Sequence, residues 1–190
     1  MIDSRFYEAL GPVTVRALAP SADIGGDGGR LVSGMAPAER AGVDDLCYYE
    51  PKGAAVLGAA PAACIIKPAL AHLAPGAGAL ILSERPRVTF AKLAPGLARP
   101  WRFSPGVAVD PSARIEADVR LGAGAVIGAR AFIGAESEIG PNTVIGPGVT
   151  IGRRTRVGAC VSIAFALIGD DVTILAGAVI GEQGFGTAGD

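Results

Sequence analysis

From Val109 to Ile163 every sixth residue is aliphatic, by way of Ile115, Leu121, Ile127, Ile133, Ile139, Ile145, Ile151 and Val157. Glycine follows most of them, from Gly122 to Gly158, and four residues after each aliphatic stands a small or β-branched side chain such as Ala125, Ser137, Thr143 or Thr155. A period of six matches neither the 3.6 of a helix nor the simple alternation of a strand. It predicts a solenoid in which each hexad supplies a short extended segment and a bend, and three hexads close one triangular coil. Coils stacked about 4.8 Å apart then bury the aliphatic residues as a continuous ladder. Glycine is assigned to the bends, where positive φ costs it little. After Ile163 the next inward residue is Ile168, five positions on, with Ile174 and Ile180 back in step. One residue is therefore lost among Ala164, Phe165, Ala166 and Leu167. That slip is either a plain irregularity or a distortion beside a binding crevice.

The first hundred residues lack the period and mix helical with strand signals, which predicts a separate α/β domain. Asp3 and Ser4 are placed to cap a helix through Glu8, ending at Gly11 and Pro12, and Thr14 to cap another through Leu18. Gly25, Gly26, Gly28 and Gly29 read as a loop, not as a phosphate cradle, because no strand pattern precedes them and no helix follows. Leu46 to Tyr49, Ala62 to Ile66 and Ala79 to Leu82 read as strands, and Val88 to Leu97 as a helix. The expected domains are residues 1–100, a linker at 101–106 that continues from Pro100, and an all-β solenoid over 107–190.

Composition narrows the function by exclusion. The 190 residues are 50% hydrophobic, enough for two small cores, and the net charge of -1 gives no reason to expect nucleic acid as a partner. The start, MIDSRFYEAL, is not a secretory signal, and no apolar run approaches the roughly 20 residues of a membrane span. Three cysteines, Cys47, Cys64 and Cys160, suit a reducing cytoplasm and form neither a disulfide framework nor a metal knuckle. With one histidine, His72, a three-histidine zinc site is out of reach. Arg153, Arg154 and Arg156 suggest a solvated turn or a contact for an acidic carrier or diphosphate. Asp170 with Asp171 and Glu136 with Glu138 read as surface charge, ahead of a metal or shared-proton site.

Several segments together resemble one family, the UDP-3-O-acylglucosamine N-acyltransferases of lipid A biosynthesis. They are Leu31 to Pro37, the Asp45-Leu46-Cys47-Tyr48-Tyr49 strand with Pro51 and Lys52, Pro86 to Leu93, Val161 to Ala164, and Ile180-Gly181-Glu182-Gln183-Gly184-Phe185-Gly186. The resemblance implies an N-terminal uridine-binding domain followed by a left-handed parallel β-helix. It implies transfer of a 3-hydroxyacyl group from acyl carrier protein to the 2-amine of UDP-3-O-acylglucosamine, in the cytoplasm, by a homotrimer without cofactor or metal. Tyr48 stands where an aromatic stacks on uracil. Gly184, Phe185 and Gly186 stand where backbone approaches the sugar or acyl chain. The pattern departs from the family at Glu50, Pro51, Lys52 and Gly53 after Tyr48, and at Gln183 and Thr187 around the Gly-Phe-Gly segment.

In that family a histidine general base on a later coil deprotonates the amine. His72 does not occupy such a position, so the base is expected beyond Asp190 and residues 1–190 alone are expected to be a truncated, inactive acyltransferase. Two other functions fit the solenoid: a CoA-dependent sugar-nucleotide acetyltransferase and a non-catalytic scaffold.

Overall fold

A computed structural model describes residues 2–51, 53, 55–104 and 106–182. The chain divides into two compact units, one within residues 1–99 and the other beginning at Pro100.

The second unit is the predicted solenoid, a left-handed parallel β-helix. Its strands are two residues long and stack in register on three faces, Ile115 on Ile133 on Ile151, Leu121 on Ile139 on Val157, and Ile127 on Ile145 on Ile163. All pairings are parallel, and the ladder runs between coils, as in Gly128 N–H to Ile145 O at 2.8 Å. Ile127, Ile133, Ile139, Ile145, Ile151 and Ile163 are fully buried. Val109 and Leu121, in the first coil, are each 38% exposed because a neighbouring coil covers them from one side only. Trp101, just before the solenoid, lies 4.8 Å beneath the Arg130 guanidinium.

The bends work differently from the sequence expectation. From Gly122 to Gly158 the glycine after each aliphatic is not the residue with positive φ. That conformation falls two positions later, at Gly124 and Gly148 but also at Asp118, Arg130, Glu136, Asn142, Arg154 and Cys160. The glycines serve close stacking instead: a Cβ on Gly140 would lie 2.5 Å from the carbonyl carbon of Gly158 in the next coil. Glu116 takes the same step in the first coil and turns its carboxylate to the Ala135 amide at 3.0 Å.

At the slip, Ser162–Ile163 leads into Leu167–Ile168 across a three-residue corner, with Phe165 at φ 47°. Register survives, Ile151 pairing with Ile168 and Val157 with Ile174. The shortened hexad is thus absorbed entirely in the corner.

The small residues of the repeat also face inward, and three carry buried hydroxyls. Thr143 Oγ1 donates to Gly158 O at 2.7 Å and accepts from Val161 N–H at 3.2 Å. Ser137 bridges Gly152 O and Thr155 N–H in the same way, and Thr155 bridges Gly169 O and Val172 N–H. Each hydroxyl therefore ties one coil to the next at a corner where the strand ladder is interrupted. Thr143→Val keeps the shape but leaves a buried carbonyl and amide unpaired, and is expected to cost about 1–3 kcal/mol by urea denaturation. Wild-type stability would contradict this role.

Carboxylates hold corners at both ends of the solenoid. Asp110, 6% exposed, accepts from Ser104 and from Ser112 Oγ at 2.6 Å. The Ser104 hydroxyl first, then Ser112, hold its carboxyl below the usual range. Glu116 is lowered chiefly by the Ala135 amide, then by Arg153, and Asp171 by Arg154. Folded-state values below the unfolded ones add stability that is complete above about pH 5 and lost as pH falls through the folded values. The melting temperature is expected to drop as pH falls below about 5, with a smaller drop in Asp110→Asn. A flat profile would contradict the assignment.

In the first unit the Gly34–Met35, Asp45–Tyr48, Ala63–Ile66 and Ala79–Leu82 strands run parallel, and Asp23–Gly26 adds antiparallel at the Ala79–Leu82 edge. Leu46, Ile65 and Ile81 pack on one face of this sheet with Phe90 of the Pro86–Leu93 helix, and Cys47, Cys64 and Ile66 on the other.

Local expectations fare unevenly in this unit. Thr14 caps Val15–Leu18 as predicted, accepting from Ala17 N–H at 3.2 Å. The helix predicted from Asp3 to Glu8 is absent: Asp3 binds Arg5, one turn follows, and Tyr7–Ala9 is a strand. Extended backbone wins there because Leu10 N–H finds Leu97 O at 2.9 Å and Glu8 finds Arg99 at 2.6 Å. Gly25 and Gly26 belong to a strand and not a loop, since Asp23–Gly26 pairs fully along Ala79–Leu82. The helix predicted over Val88 to Leu97 starts at Pro86 and stops at Leu93, because proline suits the first position and Pro95 cannot extend the bonding.

Candidate functional site

Tyr48 ends the Asp45–Tyr48 strand, at the carboxyl end of the parallel part of the sheet, where open α/β sheets place their ligands. Alternation sends Leu46 and Tyr48 toward the helix face and Cys47 and Tyr49 to the opposite one. The half-buried Tyr48 ring meets Phe90 with centroids 5.3 Å apart and planes 55° from parallel. Beyond the strand end opens a cleft of about 500 Å³, lined by Tyr48, Tyr49, Glu50, Glu39, Arg87 and neighbouring Pro and Ala residues. That volume suits a nucleotide-sized ligand. Tyr49 is fixed by its hydroxyl, which donates to Ala55 O at 3.0 Å. Among the described residues the Tyr48 hydroxyl makes no hydrogen bond and Arg87 makes no ion pair.

Sequence reasoning singled out Tyr48 but gave no role to Tyr49, Glu39 or Arg87. Arg87 lies within the Pro86 to Leu93 segment already noted, one helical turn before Phe90, and that spacing was the available signal.

The other candidates divide. Gly184, Phe185 and Gly186 lie outside the described residues. His72 is exposed on the Pro68–Leu73 turn and lines neither this cleft nor the solenoid clefts. Cys47 and Cys64 are buried partners on adjacent strands. The Cys47 hydrogen bond, then burial, push the Cys64 thiol far up, so it is no nucleophile.

The arginine cluster is broken up by ion pairing. Arg153 bonds Glu116 at 3.3 Å and Arg154 grips both oxygens of Asp171 at 2.7 Å, while Arg156 has no ion-pair partner among the described residues. Three of the four paired carboxylates are engaged as well: Asp170 accepts from Arg153 N–H at 2.8 Å, Asp171 holds Arg154, and Glu138 meets Arg120 at 3.0 Å. No cluster of three or more metal-ligating side chains occurs among the described residues.

Outward side chains of the solenoid sort by face. Val126, Val144, Ser162 and Val179 line one, whereas Arg120, Glu138, Arg156 and Thr173 line another. An open cleft of about 500 Å³ follows the charged face, and one of about 700 Å³ lies beside it between Asp118, Glu136 and Arg154. Both mix signs, so neither concentrates a field that would draw an anion.

Residues 30–95 match the family model of UDP-3-O-(3-hydroxymyristoyl) glucosamine N-acyltransferase, LpxD, and residues 130–165 that of the bacterial transferase hexapeptide (six repeats). The chain is 46% identical to a UDP-3-O-acylglucosamine N-acyltransferase of Caulobacter sp. (strain K31), over 100% of this chain and 57% of that protein. Proteins of the same name match at 43% identity in Caulobacter vibrioides and 48% in Methylobacterium sp. (strain 4-46), each over 99% of this chain and 58% of the relative. A solved perosamine N-acetyltransferase from Caulobacter crescentus is 22% identical over 60% of both chains, with a TM-score of 0.18. The chain thus spans a little over half the length of the curated relatives it matches. Among the described residues no helix is long and apolar enough to cross a membrane.

Proposed function

We propose, from the premise that this chain is homologous to the UDP-3-O-acylglucosamine N-acyltransferases over its whole length, that it holds the uridine-reading domain and a run of β-helix coils of such an enzyme. The observation that carries the reading is the conjunction of the family match at residues 30–95 with a cleft formed largely by residues of that same segment. A hexapeptide solenoid alone would suit a CoA-dependent acetyltransferase or a scaffold equally well; the first unit favours the UDP-sugar enzyme.

In this reading Tyr48 presents its ring to the uracil base, at the mouth of a cleft large enough for the nucleotide. The reaction moves a 3-hydroxyacyl group from the thioester of acyl carrier protein to the 2-amine of UDP-3-O-acylglucosamine. The amine attacks the thioester carbonyl, a base removes its proton, a backbone N–H steadies the oxyanion, and the carrier thiol leaves. None of these steps is assigned to His72, which is exposed and outside the clefts. Gly184, Phe185 and Gly186 remain assigned to the sugar or acyl chain.

The assembly is a homotrimer in this reading, and the apolar outward row of Val126, Val144 and Val179 supports burial of one solenoid face. Three free cysteines suit the reducing cytoplasm.

Nucleotide titration of the chain tests the proposal. UDP is expected to bind, displaced by uridine and not by adenosine. Failure of UDP to bind, or equal binding of ADP, would overturn the uridine reading.

A further inference from the structure

We infer that Arg87 is the residue through which this cleft reads the diphosphate of its nucleotide, separately from the aromatic contact that reads the base. The inference rests on the uridine reading of the cleft and adds a second recognition element to it.

Three observations carry it. Arg87 lines the cleft with Tyr48 and Tyr49 and is the cleft's one cationic side chain among the described residues. It stands in the first turn of the Pro86–Leu93 helix, three residues before Phe90, so both lie on one helix face. Phe90 packs against the Tyr48 ring, which fixes that face of the helix beside the ring. Arg87 is also uncommitted: among the described residues it forms no hydrogen bond or ion pair, whereas Arg5, Arg99, Arg120, Arg153 and Arg154 are all paired with carboxylates. An exposed guanidinium on a cleft wall, with no carboxylate partner among the described residues, is suited to bidentate phosphate recognition.

The remaining charges in the cleft restrict where a diphosphate can sit. Glu39 and Glu50 line it too, so its overall field does not attract anions. A diphosphate entering there is repelled by two carboxylates unless it seats on Arg87. The same carboxylates can accept hydrogen bonds from ribose hydroxyls or the base N–H, which are donors that a diphosphate lacks. The cleft therefore divides into an aromatic wall for the base, acceptors for donor groups, and one cationic point for phosphate.

The test is calorimetric titration of the 190-residue chain with uridine and with UDP, in wild type, Arg87→Ala, Arg87→Lys and Lys92→Ala. Lys92 is an exposed cation on the same helix outside the cleft lining. Wild type and Lys92→Ala are expected to favour UDP over uridine by about tenfold or more, shrinking as salt rises. Arg87→Ala is expected to bind uridine unchanged and to lose that preference, and Arg87→Lys to keep part of it. Uridine binding with no preference for UDP in wild type, or a preference that survives Arg87→Ala, overturns the role of Arg87 and leaves the uridine reading standing. Binding of neither ligand to wild type overturns the uridine reading and this inference with it.

Discussion

Ile145→Ala is expected to destabilise the β-helix by about 2–5 kcal/mol, while Leu121→Ala costs well under half as much. Ile145 is fully buried between Ile127 and Ile163 in the ladder, with a paired coil on both sides. Removing its side chain leaves a cavity that the flat coils cannot close, because their spacing is set by backbone hydrogen bonds and by glycine-to-backbone contacts. Leu121 has the same place in the repeat but is 38% exposed, so truncation there costs transfer energy and little cavity. Urea denaturation of the two variants reads the difference. Equal losses would mean that the ladder is not a continuous core.

The second large effect is on binding. Tyr48→Ala is expected to weaken UDP affinity by about fivefold to a hundredfold, the range for losing one base on an aromatic ring. Tyr48→Phe is expected to stay near wild type, because the Tyr48 hydroxyl makes no hydrogen bond among the described residues and the ring face supplies the contact. The competing role for Tyr48 is packing alone, since its ring also touches Phe90 and the Leu46 cluster. Under that role Tyr48→Ala lowers the stability of the first unit and leaves UDP affinity unchanged. Calorimetry beside thermal unfolding separates the two.

How much could be read in advance follows the nature of each signal. The solenoid was plain in the sequence because one physical demand, an inward aliphatic at each rung, repeats from Val109 to Ile180 with one slip. The function of its glycines was not: sequence shows only that a Cβ is missing, whereas the reason, backbone of the next coil that would lie 2.5 Å from a Cβ on Gly140, is 18 residues away along the chain. The positive-φ corners were hidden for a similar reason, since Arg130, Arg154 and Cys160 take that conformation under the pull of stacking and not by their own preference. Ser137, Thr143 and Thr155 looked like small fillers, and only the stacked neighbour reveals the carbonyl and amide each one bridges.

The first unit was harder because long-range pairing overrides local propensity. A cap at Asp3 and a glycine pair at Gly25 are local signals, and both gave way to strands whose partners lie far along the chain. The cleft shows the same limit: Tyr48 was visible as an aromatic in a family-like segment, but Glu39, Tyr49 and Arg87 come together only once the strand and the helix have packed.

Hydrogen exchange on the 190-residue chain with and without UDP reads nucleotide binding at the Tyr48 cleft residue by residue. The account predicts protection concentrated at Asp45–Tyr48, the residues just after it and the start of Pro86–Leu93, with the solenoid strands unchanged. Unchanged exchange there in the presence of saturating UDP, or protection confined to the solenoid, would contradict it.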